Sequence, residues 1–304
     1  MSVVVAAIFP DFGMLMSDSR VTINGNSKRD ELQKIYQLSN HLAVGFTSNN
    51  VRISCQIISE MTKYSLKNTR SQHPLYLLEK LPRVANFYYK KLTKGLSVLP
   101  AMDFSYIGIL NDRGSSIPIK PVFDLMKRFN SSFNLSPEMQ RGLFSAKDGF
   151  MNFQPPIPIA LIQKFPFNDI KTFNTLGISL CGSGSVAFIK LEKDLEKTLL
   201  APEKIMRIVI IQSSVEDYCK ENGIDTVGGL SQIVIIDKNG VKPQGYSANL
   251  VMKDGKIVGG KKMEYRDEGW VQIDLRTGIE LKIRHNPLII DTDNKFTALQ
   301  SAFC

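Results

Sequence analysis

The chain has 304 residues, of which 43% are hydrophobic and 22% charged, with a formal net charge of +9. That length admits one large domain, or one with a small appendage, and the composition excludes a low-complexity or disordered chain. Lys and Arg are dispersed, the largest clusters being Lys28-Arg29, Lys90-Lys91 and Lys261-Lys262, which favours a solvated basic surface over a nucleic-acid groove.

Val3 to Phe9 is a run of β-branched and small apolar residues and reads as a buried strand. Pro10-Asp11-Phe12-Gly13 is a turn, and Met14 to Ser17 returns as the second arm of a hairpin that ends in Asp18-Ser19-Arg20. Lys34–Leu38 and His41–Phe46 form a second hairpin. Thr47-Ser48-Asn49-Asn50 is a helix cap, and Ile53, Ile57, Ile58 and Met61 follow at helical spacing. A second helix is expected from Pro74 to Lys94, with Leu77, Leu78, Leu81, Val84 and Phe87 on its apolar face.

Phe104–Leu110 and Ile117–Val122 read as two strands joined across Asn111-Asp112-Arg113-Gly114. The stretch 124–156 reads as an irregular insertion with one short helix at Pro137–Phe144. Ile157–Phe165 and Thr172–Leu180 are strands. Helices are expected at Val186–Leu199 and Pro202–Glu221, and a strand at Gln232–Ile236 closes on Asp237-Lys238-Asn239-Gly240. Beyond Gly240, alternating stretches such as Trp270–Leu275 and Ile279–Ile283 suggest a small β-rich appendage. Strands joined by hairpins, with helices in consecutive pairs, predict an α+β fold of antiparallel sheets covered by helix layers, not a doubly wound sheet.

Cys55, Cys181, Cys219 and Cys304 form no CxxC pair, and His41, His73 and His285 stand apart. A zinc site is therefore not expected, and four separated cysteines suit reduced thiols in the cytoplasm. The apolar start meets Pro10 and Asp11 early and lacks a basic n-region, so it reads as neither signal peptide nor membrane span. A cytoplasmic protein is expected, with no membrane partner, no metal and no cofactor.

The first residues point to chemistry. A hydroxyl is a poor nucleophile until a base takes its proton, and a free α-amine, with a pKa near 8, can serve. Removal of Met1, expected before a small residue, would leave Ser2 as the first residue and put a hydroxyl and a free α-amine on one residue. A lysine nearby would hold the amine's pKa down, an acid would hold the lysine, and backbone N–H groups would receive the oxyanion. Asp18 at the end of the second strand, Lys34 at the start of the third and Ser48 at a helix start supply these parts.

Ser2-Val3-Val4-Val5-Ala6-Ala7, Gly13 through Asp18-Ser19-Arg20 to Thr22, Lys34-Ile35-Tyr36 and Ala43-Val44-Gly45-Phe46 together resemble a proteasome β subunit, an amino-terminal-nucleophile (Ntn) hydrolase. Asp18 and Lys34 fall, ungapped, at the offsets from the first residue that the family uses. Gly182-Ser183-Gly184-Ser185 and Gly228-Gly229 match later family segments more loosely. Ser2 stands where the family prefers Thr, and Ser48-Asn49 where Gly-Gly is usual.

The resemblance implies a four-layer αββα sandwich of two antiparallel sheets over 2–240, interrupted by the insertion 124–156, with a β-rich extension over 241–304. It implies Ser2 as nucleophile, Lys34 and Asp18 as its activating pair, the Ser48 N–H as oxyanion donor and Ser183 as partner of the α-amine. The family's Asp and Ser before Gly-Gly fall on Ile224 and Val227, and Asp225 and Thr226, one step off, are the candidates to replace them. The implied activity is hydrolysis of a peptide or small amide, and the implied assembly is a homo-oligomeric ring or stacked ring. An Ntn transpeptidase or ligase, and a catalytically inactive assembly protein, remain open alternatives; a basic nucleic-acid-associated protein is a third.

Overall fold

Valine and isoleucine suit a strand buried on both faces, because their branched side chains pack well on a pleated surface. Val3–Ile8 accordingly forms β1, buried at every position. A computed structural model of the chain describes residues 2–9, 12–23, 27–29, 32–67, 74–109, 117–118, 150–151, 158–173, 177–188, 191, 194, 198, 201, 203–229, 231–266 and 269–282. The helix expected at Pro137–Phe144 lies outside these residues, as does all of 124–156 except Phe150–Met151.

The described chain is mixed α+β. After β1 come β2 (Gly13–Ser17), β3 (Val21–Ile23), β4 (Ser27–Arg29), β5 (Ile35–Ser39) and β6 (Leu42–Ser48). Then follow α1 (Val51–Lys67), α2 (Pro74–Leu92), β7 (Met102–Ile109), β8 (Ile117–Pro118), β9 (Phe150–Met151), β10 (Pro158–Phe165), β11 (Asp169–Phe173) and β12 (Gly177–Gly182). A 3-10 turn, Ser183–Ala187, leads toward α3 (Lys204–Glu221), β13 (Gln232–Asp237) and β14 (Gly240–Pro243). The last described elements are β15 (Tyr246–Lys253), β16 (Lys256–Arg266), β17 (Gly269–Asp274) and β18 (Glu280–Lys282).

One sheet has the order β12-β1-β2-β13-β14 and a second β11-β10-β7-β6-β5, both antiparallel. Three apolar clusters hold them. Val4, Ala6, Ile8, Leu15 and Val234 of the first sheet meet Ile35, Ala43, Ile107 and Ala160 of the second. The other face of the first sheet, through Val3, Val5, Met14 and Ile233, packs on Ile208, Ile211 and Val215 of α3. The other face of the second, through Val44, Phe46, Phe104 and Leu161, packs on Ile57, Ile58, Leu77 and Leu81 of α1 and α2. Gly45 permits the sheets to approach: a Cβ there would lie 2.9 Å from Val4 Cγ1. The tail forms a separate sheet, β15-β16-β17-β18, anchored where Met263 and Trp270 enter the cluster between the main sheets.

Several boundaries differ from the sequence reading. The run 172–180 is not one strand: β11 ends at Phe173 in the second sheet, and β12 starts at Gly177 in the first. The spaced apolar residues Phe173, Leu176, Ile178 and Leu180 do not mark a change of sheet. β7 pairs with β10 and β6, and the short β8 pairs with β9; the stretch Asn111 to Gly114 lies outside the described residues. In α2, Phe87 is exposed, while Ala85 and Tyr89 are buried; these extend the i, i+4 ridge of Leu77, Leu81, Ala85 and Tyr89. Among the described residues no helix is long and apolar enough to cross a membrane.

Three thiols lie inside this core. Burial pushes Cys55 up to about 12, and Cys181 and Cys219 to about 11, so thiolate is scarce at neutral pH. Iodoacetamide at pH 8 is expected to leave all three unmodified in the folded protein and to alkylate all three in urea, read by peptide mass. Rapid native alkylation of Cys181 would contradict this packing.

Candidate active site

Ser2 directly precedes β1 and Asp18 directly follows β2. Because Val4 lies opposite Ser17, the end of β2 sits beside the start of β1. Asp18 Oδ1 accepts two bonds: the Val3 N–H at 2.9 Å and the Lys34 ammonium at 3.0 Å. Lys34 Nζ is therefore no farther from the Val3 nitrogen than those two bonds laid end to end. Asp18 Oδ2 accepts the N–H groups of Arg20 and Gly228, each at 3.3 Å. Lys34 Nζ also donates to the Arg20 carbonyl at 2.6 Å. Ser2, Asp18 and Lys34 are only 4%, 5% and 2% exposed.

Burying these charges is expensive unless they are paired and hydrogen-bonded. Burial pushes the Asp18 carboxyl above its ordinary value; the Lys34 ammonium, then the Val3 and Gly228 N–H groups, pull against that rise. The sequence reading missed what aims Lys34 inward. Gln232, fully buried, accepts the Lys34 N–H through Oε1 at 2.9 Å and donates through Nε2 to Leu32 O at 2.6 Å. A polar residue opening the apolar strand Gln232-Ile233-Val234-Ile235-Ile236 was the available signal.

The Ser183 turn closes on Ser2 from β12. Ser183 Oγ and the Gly184 N–H each lie 3.5 Å from Ser2 O, and Ser183 Oγ is 2.7 Å from Thr226 Oγ1. Gly182 has φ 84°, and a Cβ there would lie 2.0 Å from Ser2 O, so only glycine fits. Asp225 is exposed, and its carbonyl accepts from Arg20 Nη1 at 3.1 Å. The side chain reaching Ser183 is that of Thr226. Arg20 also donates to Val227 O at 3.4 Å, fastening the 225–228 loop whose Gly228 N–H reaches Asp18.

Ser48 ends β6. The Phe46 N–H donates to Lys34 O, whereas the Asn49 N–H donates to Ala101 O on the other side. Alternation turns the Ser48 N–H to the Lys34 side, past the start of β5 at Ile35. Ser48 Oγ accepts the Asn50 N–H at 2.8 Å, and Asn50 Oδ1 caps α1 through the Ile53 N–H at 3.2 Å. The serine side chain is thus engaged with the helix start, and its backbone donor faces the other way.

The arrangement puts a hydroxyl-bearing residue, a buried ammonium and aimed N–H donors at one end of the two sheets. A nearby cation favours the deprotonated form of an amine or hydroxyl. Among the described residues no group of three His, Cys, Asp or Glu could hold a metal ion. Compared with known proteins, the chain matches no family model, and no curated protein matches it significantly.

Replacing Lys34 by Met should leave a buried carboxylate unpaired and cost roughly 3–5 kcal/mol in urea unfolding. Adding Asp18→Asn, which removes that charge while keeping an acceptor for Val3, should recover part of the loss. A Lys34→Met change within about 1 kcal/mol of wild type would mean the pair behaves as a surface bridge.

Proposed function

We propose that this chain is an Ntn amide hydrolase of the proteasome β type, acting on a peptide or small amide through Ser2. The observation that carries this reading is Asp18 Oδ1, which joins the Val3 N–H to the Lys34 ammonium beside Ser2. The layering of α1 and α2 on one sheet, sheet on sheet, and the other sheet on α3 supports the four-layer αββα sandwich of that fold.

In this mechanism Ser2 Oγ attacks the amide carbon while the Ser2 α-amine accepts the hydroxyl proton, directly or through water. Lys34 keeps the amine neutral and stabilises the developing alkoxide; Asp18 keeps Lys34 charged and aimed. The Ser48 N–H donates to the oxyanion, and a single well-placed donor of this kind is worth about 3–4 kcal/mol. Collapse of the tetrahedral adduct breaks the C–N bond, the leaving amine takes the proton back, and an ester remains on Ser2. Water, deprotonated by the same amine, releases the acid; an amine in its place would give the transpeptidase. Ser183, with Thr226, holds the Ser2 backbone in place. The ring assembly implied by the resemblance belongs to the same proposal.

The reading requires a free amine on Ser2. The intact mass should show Met1 absent, and a β-lactone or epoxyketone should add one equivalent to the wild type and none to Ser2→Ala. Retained Met1, or equal labelling of both proteins, would instead favour the non-catalytic assembly protein.

A further inference from the structure

The mechanism above leaves a half-buried acid unused. Asp103 on β7 lies opposite Thr47 of β6 and Lys164 of β10. These three form a polar row across the second sheet. The next row on that face is Gly45, Ser105 and Ile162, and beyond it come Ala43, Ile107 and Ala160, where Ala43, Ile107 and Ala160 belong to the core between the sheets. The first sheet runs in parallel: Ile8, Ala6 and Val4 face that core, and the same alternation continues to Ser2. The row that contains Asp103 is therefore at the Ser2 end of the sandwich. Two close approaches agree: a Cβ on Gly45 would strike Val4, and one on Gly182 would lie 2.8 Å from Thr47 Cγ2.

A carboxylate in this position is costly unless it is bonded. Burial pushes Asp103 above its ordinary value, opposed by the Lys164 cation and by hydrogen bonds from the Gly182 N–H and the Thr47 side chain. The bond to Gly182 N, at 3.3 Å, crosses from the second sheet to the first. Gly182 is the residue whose left-handed backbone runs against Ser2 O, and the next two residues supply the two donors that approach that carbonyl.

We propose that Asp103 is a positioning residue for Ser2: acting across the sheets, it fixes the Gly182–Ser183 turn against the Ser2 carbonyl and so sets the direction of the nucleophile. This rests on the reading of Ser2 as nucleophile. Holding the carbonyl fixes the Ser2 peptide plane and its Cα, and a misplacement of about 1 Å can cost on the order of 100-fold in rate. Asp103 touches neither substrate nor reacting atoms in this scheme. Its effect belongs on the rate of bond formation, not on ligand affinity.

The test uses β-lactone inactivation of the full chain, with kinact separated from KI, for wild type, Asp103→Ala, Asp103→Asn and Asp103→Glu. Asp103→Ala should lower kinact about tenfold or more with KI unchanged. Asp103→Asn keeps an acceptor for the Gly182 N–H and should recover most of the rate. Asp103→Glu places that acceptor one methylene farther out and should lower kinact, which keeps the test intact if the alanine variant does not fold. A folded alanine or glutamate variant within about twofold of wild type in kinact would overturn the proposal, as would an asparagine variant no better than alanine. A wild type that does not react sinks the Ser2 reading itself, whereas a reactive wild type with indifferent Asp103 variants sinks only this inference.

Discussion

An ammonium group in a protein interior needs a counter-charge and a full set of acceptors, because desolvation costs several kcal/mol and is offset only by good geometry. Lys34 is in that position, and the structure at the amino-terminal end follows from the need to satisfy it. Two of its three protons can face Asp18 Oδ1 and Arg20 O, both supplied by the segment that leaves β2. Asp18 in turn must be satisfied, and its oxygens collect N–H groups from β1, from Arg20 and from the Gly228 loop. One ion pair thereby ties together four stretches of chain: the first residues, the end of β2, the approach to β5 and, far off in sequence, the loop before β13.

This interdependence gives the site its rigidity. Gln232 on β13 fixes the backbone on either side of Gln33, so the lysine enters from a held position and does not swing in from a loop. Arg20 clips the carbonyls of Asp225 and Val227, which presents Gly228 to Asp18 and Thr226 to Ser183. The Gly182 turn closes the opposite side of Ser2. Preorganised dipoles of this kind do not need to reorient when charge develops, which is the principal source of electrostatic catalysis. The same arrangement would be an odd investment for a purely structural strand end, where water would satisfy the groups at lower cost.

Much of this was legible in the sequence because it lies in one short, ungapped frame. Hairpin pairing brings Asp18 beside the first residues, and a charged residue opening the strand Ile35-Tyr36-Gln37-Leu38 marks Lys34. The α+β class followed from hairpins and paired helices. What was not legible depended on contacts distant in sequence. Gln232 shows locally only as a polar residue opening an apolar strand, and nothing local marks Asp103, since their partners are 198 and 79 residues away. Asp225 and Thr226 are adjacent, and only the three-dimensional path of the loop decides that the threonine hydroxyl reaches Ser183. The break between β11 and β12 was hidden because Phe173 and Ile178 stand close enough in sequence to read as one strand.

A buried cation beside Ser2 should lower the proton affinity of its amine. Competitive acetylation of that amine across pH, read by peptide mass against a free-amine standard, measures this directly. The Ser2 α-amine should titrate below the ordinary value of about 8 and return toward it when Lys34 is replaced by Met. An amine that titrates near 8 in both proteins, or one blocked from reacting at all, would contradict it.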